Sequence, residues 1–99
     1  MNMQQMLMQA QKMQRELQKA QNELKAKEFT ISKGGAVTVV VMGDKTVKSV
    51  SIDEDAFDKD NKEMVEETIA MAINEAIAQI EKESEEINER ITGRSGGLF

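Results

Sequence analysis

From Met3 to Leu24 the apolar and small residues recur at Met3, Met6, Ala10, Met13, Leu17, Ala20 and Leu24, in steps of three and four. That alternation is a heptad seam along one side of a helix. The positions between are mainly Gln, Lys, Glu and Ala, with neither Gly nor Pro, which predicts an unbroken helix to about Lys27. Its roughly 25 residues would extend about 37 Å, more than a compact domain of this size covers, so part of it is expected to project.

The period then changes. Glu28 to Ser32 is aromatic and β-branched, Lys33-Gly34-Gly35 supplies a turn, and Ala36 to Met42 is rich in Val and Thr. Gly43-Asp44 reads as a two-residue hairpin turn into a third strand, Thr46 to Ile52. In the middle strand Val37, Val39 and Val41 share one face while Thr38, Val40 and Met42 share the other, so both faces are at least partly apolar. One helix layer does not readily cover both, which calls for a second sheet or a partner subunit.

After the acidic link Asp53-Glu54-Asp55-Ala56-Phe57, Asp58 or Asp60 is placed to cap a second helix from near Asn61 to about Thr92. Its seam runs Ile73, Ile77, Ile80, Ser84, Ile87 and Ile91, with Met64, Val65, Ile69 and Ala76 widening the stripe upstream. The wide half is expected to form core and the narrow half to pack like a coiled coil. Gly93 stops the helix. The expected architecture is therefore α+β, with a long N-terminal helix, a three-stranded antiparallel β-meander and a long C-terminal helix. These form one α-β-β-β-α domain over residues 1–92, with a flexible Gly-rich tail over 93–99.

The 99 residues suit a single domain, and with only Phe29, Phe57 and Phe99 as aromatics the interior must be filled by Met, Val, Ile and Ala. A core this thin makes association with a second copy the expected way to gain apolar burial. There is no Cys, hence no disulfide or thiolate metal site, and no His. The opening Met1-Asn2-Met3-Gln4-Gln5 lacks a basic segment followed by an apolar run, and the longest apolar stretch, Val39 to Met42, is far too short to span a bilayer. A cytoplasmic protein without a membrane partner is the expectation.

The net charge of -5 argues against a polycation that coats nucleic acid by bulk charge. Its distribution matters more. Residues 1–33 carry six basic residues, Lys12, Arg15, Lys19, Lys25, Lys27 and Lys33, against three acids and so stand at +3, whereas residues 58–92 carry four against eleven and stand at -7. The basic pole is the first helix. There Lys12, Arg15 and Lys19 are three and four apart, on one face and off the apolar seam. They face either solvent, in ordinary surface pairs, or a phosphate backbone. Gln4, Gln5, Gln9, Gln11, Gln14, Gln18 and Gln21 add uncharged hydrogen-bonding groups suited to phosphates or base edges.

Catalysis lacks its parts: without His, Cys or Tyr the remaining bases are carboxylates and lysines spread over solvated helices. Glu81, Glu83, Glu85, Glu86 and Glu89 read as a solvated face. Asp53-Glu54-Asp55-Ala56-Phe57-Asp58 begins like a calcium loop but places Phe57 and Asp58 where the pattern needs another ligand and the turn glycine. Neither Gly34-Gly35 nor Gly93-Arg94-Ser95-Gly96 has the spacing of a phosphate loop. No catalytic residue, metal, cofactor or small-molecule substrate is expected. Met3, Met6, Met8 and Met13 read as core or dimer seam before they read as a pliable binding groove.

The order of segments resembles the YbaB/EbfC family of bacterial nucleoid-associated proteins. The matching pieces are Met6-Leu7-Met8-Gln9-Ala10-Gln11-Lys12-Met13-Gln14, Gly34-Gly35 before Val37-Thr38-Val39, the Gly43 hairpin, and Val47-Lys48-Ser49-Val50-Ser51-Ile52-Asp53. Asp60-Asn61-Lys62-Glu63-Met64 and Ala72-Ile73-Asn74-Glu75-Ala76 follow, and then the Gly-rich tail ending in Leu98-Phe99, so that essentially the whole chain is covered. The tail lacks the Pro-rich, Met-rich character often seen in the family. The resemblance implies a cytoplasmic, nucleoid-associated homodimer whose sheets form the dimer body and whose paired helices project like tweezers onto double-stranded DNA. Carried onto this chain, the DNA contacts would be Lys12, Arg15 and Lys19 with Arg90 and Arg94, and the dimer interface Val37, Val39, Val41, Val50 and Ile52. Two helices flanking a β-hairpin are also the plan of a prefoldin subunit, so the alternatives are a chaperone-like holdase or a dimer that binds another protein through its helices.

Overall fold

The computed structural model describes residues 2–93, so the expected tail, Arg94 included, lies outside the described residues. The first helix, α1, spans Met3–Lys25. It begins where the Asn2 side chain accepts the Gln5 N–H at 2.8 Å, satisfying one of the free donors of the first turn. It ends two residues before the expected Lys27, because Lys27 N–H turns back onto the Leu24 carbonyl and the Lys27 carbonyl accepts from Gly43 N–H at 2.8 Å. The chain is thereby tied to the sheet.

Three strands follow, β1 (Glu28–Lys33), β2 (Val37–Met42) and β3 (Val47–Ile52), in one antiparallel sheet of order β1-β2-β3. The first turn has Gly34 and Gly35 at φ 57° and 68°, the positive pair a tight hairpin demands, and closes with Ala36 N–H donating to the Lys33 carbonyl at 3.0 Å. The second connection differs from the two-residue turn expected. Met42 N–H donates to the Thr46 carbonyl and Lys45 N–H to the Met42 carbonyl, both at 2.8 Å, so the loop is Gly43-Asp44-Lys45. Lys45 takes the left-handed position at φ 70°. Gly43 serves close approach instead: a Cβ on it would sit 1.7 Å from the Leu24 carbonyl oxygen. Beyond the loop, Val41 faces Val47 and Val40 faces Ser49, leaving Lys48 as the extra residue of a bulge.

The acidic link folds into two short 3-10 turns, Glu54–Ala56 and Lys59–Asn61. Asp58 caps the second of these through the Asp60 N–H at 2.9 Å, and the long helix α2 (Lys62–Asn88) starts directly from it before widening into a π-helical turn, Glu89–Gly93. The expected helix from about Asn61 to Thr92 therefore corresponds to α2 plus that final turn.

One face of the sheet, bearing Phe29, Ile31, Val37, Val39 and Val41, forms the core with Val65, Ala72, Ala76 and Ile80 of α2. Ala72 and Ala76 are completely buried, and their lack of bulk lets α2 lie close over the middle strand. This rotates the helix relative to the seam read from the sequence: Ile73 and Ile77 are half-buried on its flank. Farther along, Leu17, Ala20 and Leu24 of α1 join the same cluster with Ile80, Ile87 and Ile91. Gln21 clamps the crossing by donating from Nε2 to the Ser84 carbonyl at 3.3 Å and to Asn88 Oδ1 at 3.0 Å. The wide half of α2 thus covers the sheet and the narrow half pairs with α1. The longest dimension is 69 Å and the radius of gyration 19.6 Å, against about 13 Å for a compact domain of this length. Among the described residues, no helix is long and apolar enough to cross a membrane.

Candidate nucleic-acid interface

The helix pair decides which charges are free. Because α1 and α2 run antiparallel with Gln21 beside Ser84 and Asn88, Met13 lies level with the last described residues of α2. The preceding part of α1, from Met3 to Lys12, is exposed throughout. A heptad seam on the buried side leaves the opposite side outward, and there the structure places Lys12, Arg15 and Lys19 together, all exposed. At 1.5 Å per residue, Lys12 and Lys19 are about 10 Å apart along the axis, the axial span of about three phosphates of one DNA strand.

Five of the other lysines are occupied, while among the described residues Lys25, Lys59 and Lys82 also enter no ion pair. Lys27 pairs with Glu83 at 2.7 Å, Lys33 with Glu75 at 2.7 Å and Lys45 with Glu81 at 3.1 Å, each tying the sheet end of the molecule to α2. Lys48 reaches Glu28 at 2.8 Å across the middle strand, and Lys62 pairs with Glu66 at 3.3 Å within α2. Exposed pairs of this kind contribute only about 0–1 kcal/mol each to stability. Their effect here is on the distribution of charge. Among the described residues, Lys12, Arg15 and Lys19 enter no ion pair.

Arg90 is exposed at the far end of the second helix, in the π-helical turn that packs beside α1, so it belongs to the same arm. Of the glutamines, Gln21 is consumed by the helix crossing, whereas Gln4, Gln11 and Gln18 flank the basic stripe and are exposed. Among the described residues no group of three or more Asp and Glu side chains comes together to hold a metal ion.

The five apolar residues carried over as a dimer interface are divided by the structure. Val37, Val39 and Val41 are 1%, 0% and 0% exposed beneath α2, which leaves a partner nothing to cover on them. Ile52 is half-buried, and Val50 is 43% exposed although it lies opposite Val39 on the helix-covered face. The cause is that α2 runs over β1 and β2 and leaves β3 largely bare. Val47, opposite Val41 and 46% exposed, joins Val50 in that gap. It was missed in the sequence because the bulge at Lys48 breaks the alternation that would have grouped the two valines. The opposite sheet face is partly apolar, with Val40 and Met42 half-buried among Thr30, Thr38, Ser49 and Ser51, and with Ser32 and Thr38 hydrogen-bonded at 2.9 Å.

The sequence profile of the YbaB/EbfC DNA-binding family matches residues 1–95. A nucleoid-associated protein of Clostridium botulinum (strain Eklund 17B / Type B) is 45% identical over 100 residues, covering 99% of this chain and 88% of that protein. One from Agathobacter rectalis is 43% identical over 100 residues with the same coverage, and one from Mycoplasmopsis pulmonis is 40% identical over 91 residues, 92% of this chain and 90% of its own. With an α-β-β-β-α fold, a projecting arm with unpaired cations and a profile match over nearly its whole length, the chain belongs to the YbaB/EbfC DNA-binding family.

Proposed function

We propose that the protein is a cytoplasmic, nucleoid-associated homodimer that binds double-stranded DNA through the outer face of its arms, with little sequence preference, and thereby affects chromosome organisation and gene expression. The observation that carries the reading is the partition of cations: Lys27, Lys33 and Lys45 at the sheet end are paired with acids of α2, whereas Lys12, Arg15 and Lys19 share one exposed face of the arm and enter no ion pair among the described residues. Lysine and arginine on one helical face meet phosphates wherever they occur, and phosphate contacts position a protein without reading sequence. The acidic remainder of the molecule confines the contact to the arm by repelling the duplex elsewhere. Arg90, and Arg94 beyond the described residues, would extend the contact at the end of the second helix.

The dimer is assigned to the uncovered strip over β3. Val47 and Val50 on β3, with Ile73 and Ile77 on the neighbouring flank of α2, form an apolar margin that a second copy would cover, and β3 is an edge strand with unpaired backbone groups. A symmetric contact there would leave both arms free.

The test is a DNA titration of the full chain at two salt concentrations, with the solution mass measured in parallel. Native protein is expected to lose affinity steeply with salt, and the triple variant Lys12→Glu, Arg15→Glu, Lys19→Glu to bind all duplexes weakly while keeping its helix content. Native affinity in that variant would remove the arm from the interface.

A further inference from the structure

The first turns of α1 carry a feature that phosphate binding does not use. Residues 2–11, Asn-Met-Gln-Gln-Met-Leu-Met-Gln-Ala-Gln, contain no ionisable side chain, in a chain of which 31% is charged. Met3 is 84% exposed, Met6 57% and Leu7 59%. Met3, Met6 and Ala10 continue the seam whose later members, Leu17, Ala20 and Leu24, already pack α1 against α2. The stripe is therefore a helix-packing surface that runs on past the end of the described part of α2, still in register and, among the described residues, without a helix opposite it.

We infer that this stripe pairs with the same stripe of a second copy, arm tip to arm tip and antiparallel. Three properties select that occupant. Steps of three and four are what a facing helix needs, and the intramolecular pairing shows this seam accepting an antiparallel helix. A stripe repeated on an identical chain is complementary to itself under a two-fold axis. The absence of charge means that two tips meet without the repulsion that two copies of so acidic a protein otherwise feel, while an uncharged Met and Leu surface offers a phosphate backbone nothing. Methionine suits the contact, since its unbranched, polarizable side chain adapts to a partner of its own kind.

The contact is small, so it is weak and concentration-dependent. Where copies are already held on DNA, the local concentration of tips is raised and many weak contacts act together. Tip pairing then joins molecules on separate DNA segments. It does not depend on the DNA reading, and it is measured without DNA.

The experiment is sedimentation of the full chain over a wide concentration range in about 0.5 M salt, which screens the charges. The native chain is compared with Met3→Gln, Met6→Gln, Leu7→Gln together, and with Met8→Gln on the opposite face. Gln keeps helix propensity, and circular dichroism verifies the fold. The expected result is a mass that rises with concentration in the native chain and in the Met8 variant and stays flat in the triple variant, which retains salt-sensitive DNA binding. Because the chain has no cysteine, Met6→Cys supplies a unique thiol, expected to cross-link two chains on oxidation where Lys12→Cys does not. A native mass that is flat at all concentrations, or a triple variant that associates as the native chain does, would overturn the inference. So would either of two other results for the native chain. One is suppression of a client's aggregation without self-association, and the other is binding to neutral phosphatidylcholine vesicles, each of which the triple variant loses.

Discussion

Gly43 lies against the backbone of Leu24: a Cβ at this position would come within 1.7 Å of the Leu24 carbonyl oxygen and 2.5 Å of its carbon, and the Gly43 N–H is spent on the Lys27 carbonyl at 2.8 Å. The end of the arm helix thus rests directly on the turn between β2 and β3, backbone to backbone. Neither side has a flexible side chain to move aside. Gly43→Ala is expected to destabilise the fold by about 3 kcal/mol, the upper part of the range for overpacking. Urea denaturation checks this, with Gly93→Ala as the comparison. There the nearest atom is Glu89 Cγ at 3.0 Å, the movable part of a side chain, and the change should be small.

Val50→Lys separates dimerisation from folding. The side chain is 43% exposed, so a lysine reaches water from this site and the protomer folds, while the apolar strip over β3 gains a charge that a symmetric contact would double. The expected outcome is a folded monomer by light scattering. Val39→Lys, at a fully buried site, is expected not to fold at all.

Single neutralisations on the arm should be read as salt slopes. Lys12→Ala removes about one phosphate contact and is expected to reduce the slope of log affinity against log salt by about 0.9, for every duplex sequence alike. Lys62→Ala, whose amine is held by Glu66, is expected to leave the slope unchanged.

Asp44 gives the hairpin a dependence on acid. Its carboxylate accepts the Thr46 hydroxyl and, at 2.9 Å, the Thr46 N–H, and these bonds hold its pKa below the ordinary 3.8, the hydroxyl contributing most. Folded Asp44 releases its proton more readily than unfolded Asp44, so its contribution to stability is complete above the ordinary carboxylate range and is lost as pH falls through the lowered value. Asp44→Asn should therefore be less stable than the native chain at neutral pH, with the difference vanishing in strong acid. Thermal melts at both pH values test it.

Periodicity carried most of the architecture. Steps of three and four located α1 and α2, and the Val-rich alternation with its glycine turns located three strands in the right order. What failed was the fine phase. Sequence pattern favours the largest apolar residues as the inward line, and so pointed to Ile73 and Ile77 with Ala76 only in the widened stripe, whereas the sheet selects Ala76 and the unnoticed Ala72 because close approach rewards small side chains. The role of Gly43 was hidden for a related reason, since a glycine demanded by a neighbouring backbone looks no different from one demanded by a turn. At the candidate site, the shared face of Lys12, Arg15 and Lys19 was legible from spacing alone. That they enter no ion pair among the described residues, while Lys27, Lys33 and Lys45 are taken up by α2, is a matter of tertiary pairing.

The overhang of α1 has a mechanical consequence. A helix of 23 residues is a stiff rod of about 35 Å, fastened near one end by Leu17, Ala20, Gln21 and Leu24. Pivoting about that fastening by ten degrees would sweep the far end of the rod, about 26 Å away, through about 4–5 Å, while atoms at the fulcrum shift by a small fraction of that. The reach of the arm is in this sense geared: slight rearrangement where the helices cross translates into a stride, at the tip, longer than the axial spacing of successive phosphates along a DNA strand.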